Sequence, residues 1–390
     1  MDVRSIRVAA VRRCLQGEPI TRVCRSLGKS RRWLYYWLER YSPSNRRWSA
    51  TRSRAPHRRP GKTPLPIEKL VCKVRRQLEA HKYAQRGAVA IQWELKRLGA
   101  SGVPNPWTIY RILRRNDLST KRRYQPRGTP YPAIRPTKGN ILHQLDLVGP
   151  RYLHGGIRFY GLHVMDAFTN AVALERISGK QDRSIVQALL EAWRRLGLPR
   201  FLQMDNELSF RGSNRYPRSF GLLLRTCLQL GIEAIFIPDG EPWRNGIVEH
   251  FNDVYDKVFL RRHRFRDLPD LDTHTREFET FHNENHRYAK LKQRTPSSVH
   301  PRRRRRVPAR LSVDTVFQRP WKDGRISFIR LTDRSGSVHF FSERFTVDQT
   351  LVHEYVTGTI HPKVGVLLLS HQGKTIKTVP YKVSKTRIKL

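Results

Sequence analysis

Positive charge is unevenly placed along this chain, and that placement limits which parts can build a core. Residues 1–137 carry a formal +26, residues 138–270 only +4, and residues 271–390 +14, within a total of +44. A nearly neutral centre can bury a large core without confronting its own charge, whereas the flanks call for a polyanion to neutralise them. Nucleic acid is that polyanion in kind, and binding through phosphates predicts a steep salt dependence. With 38% hydrophobic residues the chain still folds, so general disorder is excluded. The longest apolar stretches, such as Val364 to Leu369, fall far short of the ~20 residues a membrane helix needs, so no membrane partner is expected. Arg4, Arg7, Arg12 and Arg13 break up the start, arguing against a signal peptide. Cys14, Cys24, Cys72 and Cys227 form no CxxC pair, which disfavours a disulfide framework or structural zinc and fits a cytoplasmic, nucleoid-associated protein.

The first forty residues divide at Gly17 and near Gly28 into helical patterns at about 4–16, 19–26 and 30–41. A short helix, a Gly-containing turn and Ser30 as cap of the next helix predict a helix-turn-helix over residues 1–41. Leu34, Trp37 and Leu38 share the apolar face, leaving Lys29, Arg31, Arg32 and Tyr35 to meet phosphates and base edges. A plain helical hairpin with a basic face is the competing reading. Residues 42–66, rich in Ser, Arg and Pro, read as a linker. Residues 67–117 hold three more helical patterns, with Arg111, Arg114 and Arg115 on one side of the last. That unit is either a second helix-turn-helix or an accessory bundle. A Pro- and Arg-rich connector at 118–137 follows.

From Asn140 the pattern changes to β-branched and aromatic runs, and the order reads β-β-β-α-β-α-β-α, a mixed sheet flanked by helices. Asp146 stands mid-strand among Leu142, Leu145 and Leu147, where a carboxylate is costly unless it is paired or binds a cation. Asp205 ends a later strand and Glu249 lies in the final helix. On that helix Ile247, Phe251, Val254 and Val258 form one face, with Asn245, Glu249 and Asn252 opposite. The apolar stripe is therefore expected on the sheet, with the polar stripe looking away.

Taken together, Gln144-Leu-Asp146, Val164-Met-Asp166-Ala-Phe-Thr, Gln203-Met-Asp205-Asn206 and Pro238-Asp-Gly-Glu-Pro-Trp-Arg-Asn245-Gly-Ile-Val-Glu249-His-Phe-Asn252 resemble the integrase-core, DDE-type transposases of bacterial insertion sequences. Phe281-His-Asn283-Glu-Asn-His-Arg287 and Arg294-Thr-Pro296 resemble the segment that follows there. The resemblance covers about residues 138–300 and implies a ribonuclease H-like α/β core shared with retroviral integrases. It also implies two Mg²⁺ or Mn²⁺ ions held by Asp146, Asp205 and Glu249, with in-line displacement at phosphorus by water or a DNA 3′-hydroxyl. Its implied partners are the element's terminal repeats, target DNA and further copies of the chain in a synaptic complex. Asn206 and Asn245 are candidates to orient the ligands or to contact DNA, Asn252 to orient the ligands, and Asp166 to cap the turn before Thr169. Two features depart from the family pattern. Asp205 and Glu249 are separated by 43 residues, more than is usual there, with 211–219 as the apparent insertion. Glu207 replaces the usual glycine and adds charge beside the site. Arg211 and Arg215 in the insertion are DNA-contact candidates.

Past the run Arg302, Arg303, Arg304, Arg305 and Arg306, assigned to an Arg-rich linker at 301–324 and to phosphate contact, residues 325–390 read as five or six short strands. They predict a small all-β, SH3-like C-terminal barrel, making the chain multidomain, all-α then α/β then all-β. The function expected is an enzyme, a transposase that cleaves and joins DNA. Two rivals remain open at this point, a catalytically inert DNA-binding regulator and a metal-dependent nuclease that never joins. For His250, His282 and His286, which show no HExxH pattern, neutral packing or phosphate contact is expected ahead of zinc.

Overall fold

The structure, a computed structural model, describes residues 3–45, 47–52, 63–119, 130–212, 218–316 and 322–384. It divides into two compact units, Met1–Thr63 and Pro64–Leu390. In the first, α1 (Val3–Leu15), α2 (Ile20–Leu27) and α3 (Arg31–Glu39) enclose Ala10, Val23, Cys24 and Leu34. Gly28 ends α2 in the left-handed region (φ 59°), and the Ser30 hydroxyl accepts from Trp33 N at 3.2 Å to start α3. Residues 47–52, within the linker expected at 42–66, instead pack back on this unit. Arg4 Nε donates to Ser49 Oγ (3.2 Å) and Arg7 to Ser49 O (2.9 Å). The guanidinium groups of Arg7 and Arg40 lie 4.2 and 4.7 Å from the Trp37 ring centre. Residues 53–62 of that linker lie outside the described residues.

The second unit opens with α4 (Leu65–Ala80), α5 (Ala88–Arg97) and α6 (Pro106–Arg115), packed through Val71, Val74, Ile91, Leu95, Ile109 and Ile112. These helices are not freestanding. Tyr83, between α4 and α5, is buried among Phe259 and Phe278, its carbonyl accepts from His286 Nε2 at 2.8 Å, and Gln85 Oε1 accepts from Arg287 N at 2.6 Å.

A meander of β1 (Leu142–Tyr152), β2 (Arg158–Asp166) and β3 (Val172–Ile177) is followed by α7 (Asp182–Leu196), β4 (Phe201–Met204), the short α8 (Leu208–Arg211), α9 (Leu222–Leu230) and β5 (Glu233–Phe236). Then come α10 (Gly246–Val258), α11 (Leu268–Asn285) and α12 (Pro296–Val299). β1 pairs antiparallel with β2 and parallel with β4, which runs parallel to β5. This is the mixed sheet that the alternating pattern predicted. Leu145, Leu162, Val164 and Ala173 face the core under α7 and α9, while Met165, Val172 and Leu174 face the core under α10 and α11.

The C-terminal strands are β6 (Arg325–Leu331), β7 (Ser337–Phe340), β8 (Glu343–Thr346), β9 (Tyr355–His361), β10 (Val366–His371) and β11 (Lys374–Pro380). They do not form the separate SH3-like barrel that short strands and turns suggested. β6 pairs parallel with β5, so four of the six strands extend the central sheet to the order β11-β10-β9-β6-β5-β4-β1-β2-β3, with β7-β8 as a hairpin beside it. The physical reason is a continuous aromatic column. Phe236, Phe328, Phe340 and Phe345 stack in succession at 4.8, 5.3 and 4.7 Å between ring centres, tying β5, β6 and the hairpin into one core. The segment read as an Arg-rich linker at 301–324 also joins this core, burying Val307, Leu311, Val313 and Val316. Its residues 317–321 are outside the described set.

Candidate active site

Asp146 lies in β1, Asp205 directly follows β4, and Glu249 sits in the first turn of α10. The parallel β1-β4 pairing brings the first two to adjacent strands, and α10 crosses that same face. Their negative charges act on one another. Burial and then the negative charges of Asp205 and Glu249 push the Asp146 carboxyl up to about 6. Burial raises Asp205 too, with Glu207 adding repulsion and Lys180 relieving part of it. Glu249 is raised by burial and by Asp205. Each carboxylate is thus harder to ionise than in water, the condition that a cation would reverse. Among the described residues no group of three or more His, Cys, Asp or Glu is placed so as to hold a metal ion. The donors are all carboxylate oxygens, which suit hard divalent ions.

What holds α10 over the sheet was not assigned from sequence. Gln144 Oε1 accepts from the backbone N–H groups of Ile247 and Val248, both at 3.0 Å, and so caps the helix from β1. Gln203 Nε2 donates to Arg244 O (2.9 Å), and buried Asn245 donates to Leu145 O (2.9 Å). Gln144 and Gln203 each stand two residues before a carboxylate, hence on the same side of their strands. That spacing is the signal by which they could have been found.

Asn252 Nδ2 donates to Asp146 Oδ2, and Asn252 Oδ1 lies 2.7 Å from Nδ1 of buried His163. With its amide nitrogen committed to Asp146, Asn252 offers only its oxygen, so His163 carries its proton on Nδ1. Burial holds that imidazole neutral, its value lowered to about 4. The polar stripe of α10 therefore faces β1, contrary to the helical-wheel expectation. Val248, Phe251 and Tyr255 still fill the core between the sheet and Phe278 of α11, with the His163 ring edge-on to Phe251 (5.7 Å) and Tyr255 (4.6 Å).

The remaining acidic and amide candidates divide by their contacts. Asp166 accepts from the N–H groups of Asn140 (2.5 Å), Phe168 (3.0 Å) and Thr169 (2.7 Å), fixing the β2-β3 turn. Burial alone would raise it, but these bonds and His143 hold it well below the usual carboxylate range. Asn206 donates to Ile237 O (2.7 Å) and accepts from Arg330 of β6 (2.6 Å), so its amide serves the junction with the C-terminal strands. Glu207 is paired with Lys180 at 3.0 Å. The loop before α10 is braced by the same strands. Tyr355 of β9 donates to Glu241 (2.7 Å), Arg244 donates to Tyr355 (3.0 Å), and Arg330 also reaches Ile237 O (2.9 Å) and Asp239 (3.4 Å).

Of the basic candidates, Lys29, Arg31, Arg32 and Tyr35 are all exposed at the start and outer face of α3. Arg111 and Arg114 are exposed on α6, whereas Arg115 pairs with Glu68 at 2.8 Å. In the arginine run, Arg302, Arg303 and Arg306 are exposed. Arg305 donates to Leu230 O (2.5 Å), and the Arg304 stem covers Gly197, so these two hold the segment to the core. Arg211 is half-buried, while Arg215 lies outside the described residues. His282 and His286 are buried, with Nε2 at 3.0 Å from Asn170 O and 2.8 Å from Tyr83 O. Burial lowers both, His286 to about 4.

Residues 230–296, which span β5, Glu249 and α11, match the family model described as integrase core domain. That stretch is similar to an integrase core domain. Residues 2–45 match a second model, the homeodomain-like domain, over the three helices of the first unit. The chain is similar in structure to the HTLV-2 integrase catalytic core domain in complex with magnesium, at 18% identity over 43% of this chain and 100% of that one, with a TM-score of 0.34. A chain of the simian T-cell lymphotropic virus intasome in complex with PP2A regulatory subunit B56 gamma matches at 17% identity over 75% and 93%, with a TM-score of 0.38. The catalytic core domain of BIV integrase matches at 15% identity over 42% and 94%, with a TM-score of 0.32. No helix among the described residues is long and apolar enough to cross a membrane.

Proposed function

We propose that this chain is a divalent-metal-dependent DNA transposase that binds the ends of an insertion element, cleaves there and joins the liberated 3′-hydroxyl to target DNA. One observation carries the reading: Asp146, Asp205 and Glu249 come from β1, the end of β4 and the start of α10, and their charges oppose one another. These three residues would hold two Mg²⁺ or Mn²⁺ ions. Such ions, when bound, would supply activation of the attacking oxygen and stabilisation of the leaving one. The chain's own contribution is placement. Gln144 fixes the start of α10 and therefore Glu249, Asn252 orients the Asp146 carboxylate, and neutral His163 keeps the Asn252 amide from flipping. Lys180 pairs with Glu207 and offsets part of the charge that residue adds beside Asp205.

In this reading Lys29, Arg31, Arg32 and Tyr35 contact the element's end, with Arg111, Arg114, Arg302, Arg303 and Arg306 supplying further phosphate contacts. Joining two ends requires a homo-oligomeric synaptic complex. The test is a strand-transfer assay with duplexes from the gene's flanking inverted repeats and a plasmid target, in Mg²⁺ or Mn²⁺ against EDTA. Joined products are expected. Cleavage without joining would make the protein a nuclease, and binding without either reaction would make it an inert regulator.

A further inference from the structure

Resting on that reading, we propose a DNA-backbone site at the far end of the catalytic strand and helix, separate from the carboxylates and from the two helical units. A cleft of about 920 Å³ opens between the β1-β2 turn and the segment after α10. Arg151, Arg261, Arg264 and Arg266 line it, and exposed Tyr152 (63%) stands beside them. Its floor is apolar, formed by buried Leu153, Phe159 and Phe265.

The charge there is not balanced internally. One carboxylate, Asp256, is shared between Arg151 (3.3 Å) and Arg261 (2.6 Å), and Arg266 leans on Asp270 (3.2 Å). Arg264 is exposed and makes no ion pair among the described residues. Planar guanidinium groups around a concave surface match phosphate oxygens, which accept two parallel N–H bonds from each. The chain's central third looked nearly neutral when charge was summed along the sequence, and folding collects its arginines at one end of the sheet.

Position relative to the carboxylates suggests which phosphates are held. β1 and α10 run side by side, with Gln144 on Ile247, Asp146 on Asn252 and Arg151 on Asp256. In an unbroken strand Asp146 and Arg151 would point to opposite faces; a register shift between Val148 and Arg151 turns Arg151 toward α10. The cleft is then about 16 Å from Asp146 at ~3.3 Å per strand residue, and about 10 Å from Glu249 at ~1.5 Å per helix residue. At ~3.4 Å per base pair this is roughly three to five base pairs from the scissile phosphate. The site thus holds the duplex flank of the reacting phosphate, belonging either to the element end or to the target.

The test compares the full chain with its Arg151→Gln, Arg261→Gln, Arg264→Gln triple variant in EDTA, by fluorescence anisotropy on an element-end duplex and an unrelated duplex across a salt series. The slope of log affinity against log salt should fall by roughly 0.9 for each phosphate contact removed, about two to three in all. The corresponding triple Lys variant should keep most of it. Loss on the element-end duplex alone identifies the end as occupant, and loss on both points to a sequence-independent flank such as the target. An unchanged slope on both, with the parent binding well, overturns the site and leaves the transposase reading standing. A parent that binds neither duplex overturns both. As a positional check, an iron chelate on Tyr152→Cys, in a Cys14→Ser background, should cut roughly three to five base pairs from the scissile phosphate. Cys24, Cys72 and Cys227 are buried and will not compete for the label. Cuts elsewhere only would refute the placement.

Discussion

Replacing Asp146 by Asn should stabilise the metal-free protein while abolishing its chemistry. Burial and the charges of Asp205 and Glu249 lift the Asp146 carboxyl to about 6. Against an ordinary value near 4, ionisation at neutral pH then costs about 3 kcal/mol of stability. The sign follows from proton uptake. Below about pH 4 the acid is protonated in both states and contributes nothing. Between about pH 4 and 6 the unfolded chain ionises first, so stability is progressively lost as pH rises, and above about 6 the full penalty is present. Asn carries no such penalty, and its side-chain oxygen can still accept from Asn252. For a unit the size of Pro64–Leu390, about 3 kcal/mol corresponds to a rise in Tm of ~4 °C. The assay is thermal unfolding of parent and variant in EDTA from pH 4 to 8, repeated in Mg²⁺. The variant should gain over the parent only above about pH 5, and Mg²⁺ should raise the Tm of the parent but not the variant. An Asn variant less stable than the parent at neutral pH in EDTA, or a difference independent of pH, would refute the reasoning.

Asp205→Asn and Glu249→Gln should each abolish strand transfer while leaving affinity for the element end within a few-fold, read by gel-based joining and anisotropy. Gln144→Leu removes the cap that β1 provides to α10. Single-turnover kinetics should show a ~10–100-fold slower chemical step with unchanged DNA affinity, since a supporting contact rather than a ligand is lost. Phe328→Ala empties the middle of the aromatic column and should cost roughly 3–5 kcal/mol, measured by denaturant unfolding of the full chain. Removing residues 1–63 should weaken binding to the element end while preserving cleavage of short duplexes at high enzyme concentration, and unchanged end affinity would count against the helix-turn-helix.

Two of the candidate carboxylates stand out in the sequence because isolated carboxylates are conspicuous in apolar strands. Asp146 among leucines and Asp205 at a strand end are anomalies that composition cannot hide. Gln144 and Gln203 were harder to see, since a glutamine is unremarkable until a helix terminus is placed above it. The facing of α10 was misjudged for a related reason. A helical wheel assumes that the surface beneath is apolar, and here the adjacent strands offer Asp146 and His163. Asn206 sits beside a metal-binding candidate in sequence, yet its partner is Arg330, 124 residues away. Such a contact has no local signature. The basic cleft was hidden because Arg151 and Arg261 lie far apart along the chain and are joined only by the register of β1 against α10.

The C-terminal strands were the largest departure, and they bear on catalysis. Short strands with turns between them are equally compatible with a closed barrel and with an extension of an existing sheet, because both satisfy the same local pattern. What decides between them is the edge that β5 would otherwise expose. β6 covers that edge, and its Arg330 then reaches Ile237 O, Asn206 and Asp239, while β9 brings Tyr355 to Glu241 and Arg244. These contacts grip both ends of the 43-residue path from Asp205 to Glu249. A longer excursion between two carboxylates leaves their relative position less well determined by the chain itself. The C-terminal strands supply the missing constraint from outside, so Arg330→Met should slow the chemical step while a DNA-binding assay reads normally, whereas an independent barrel would move binding first.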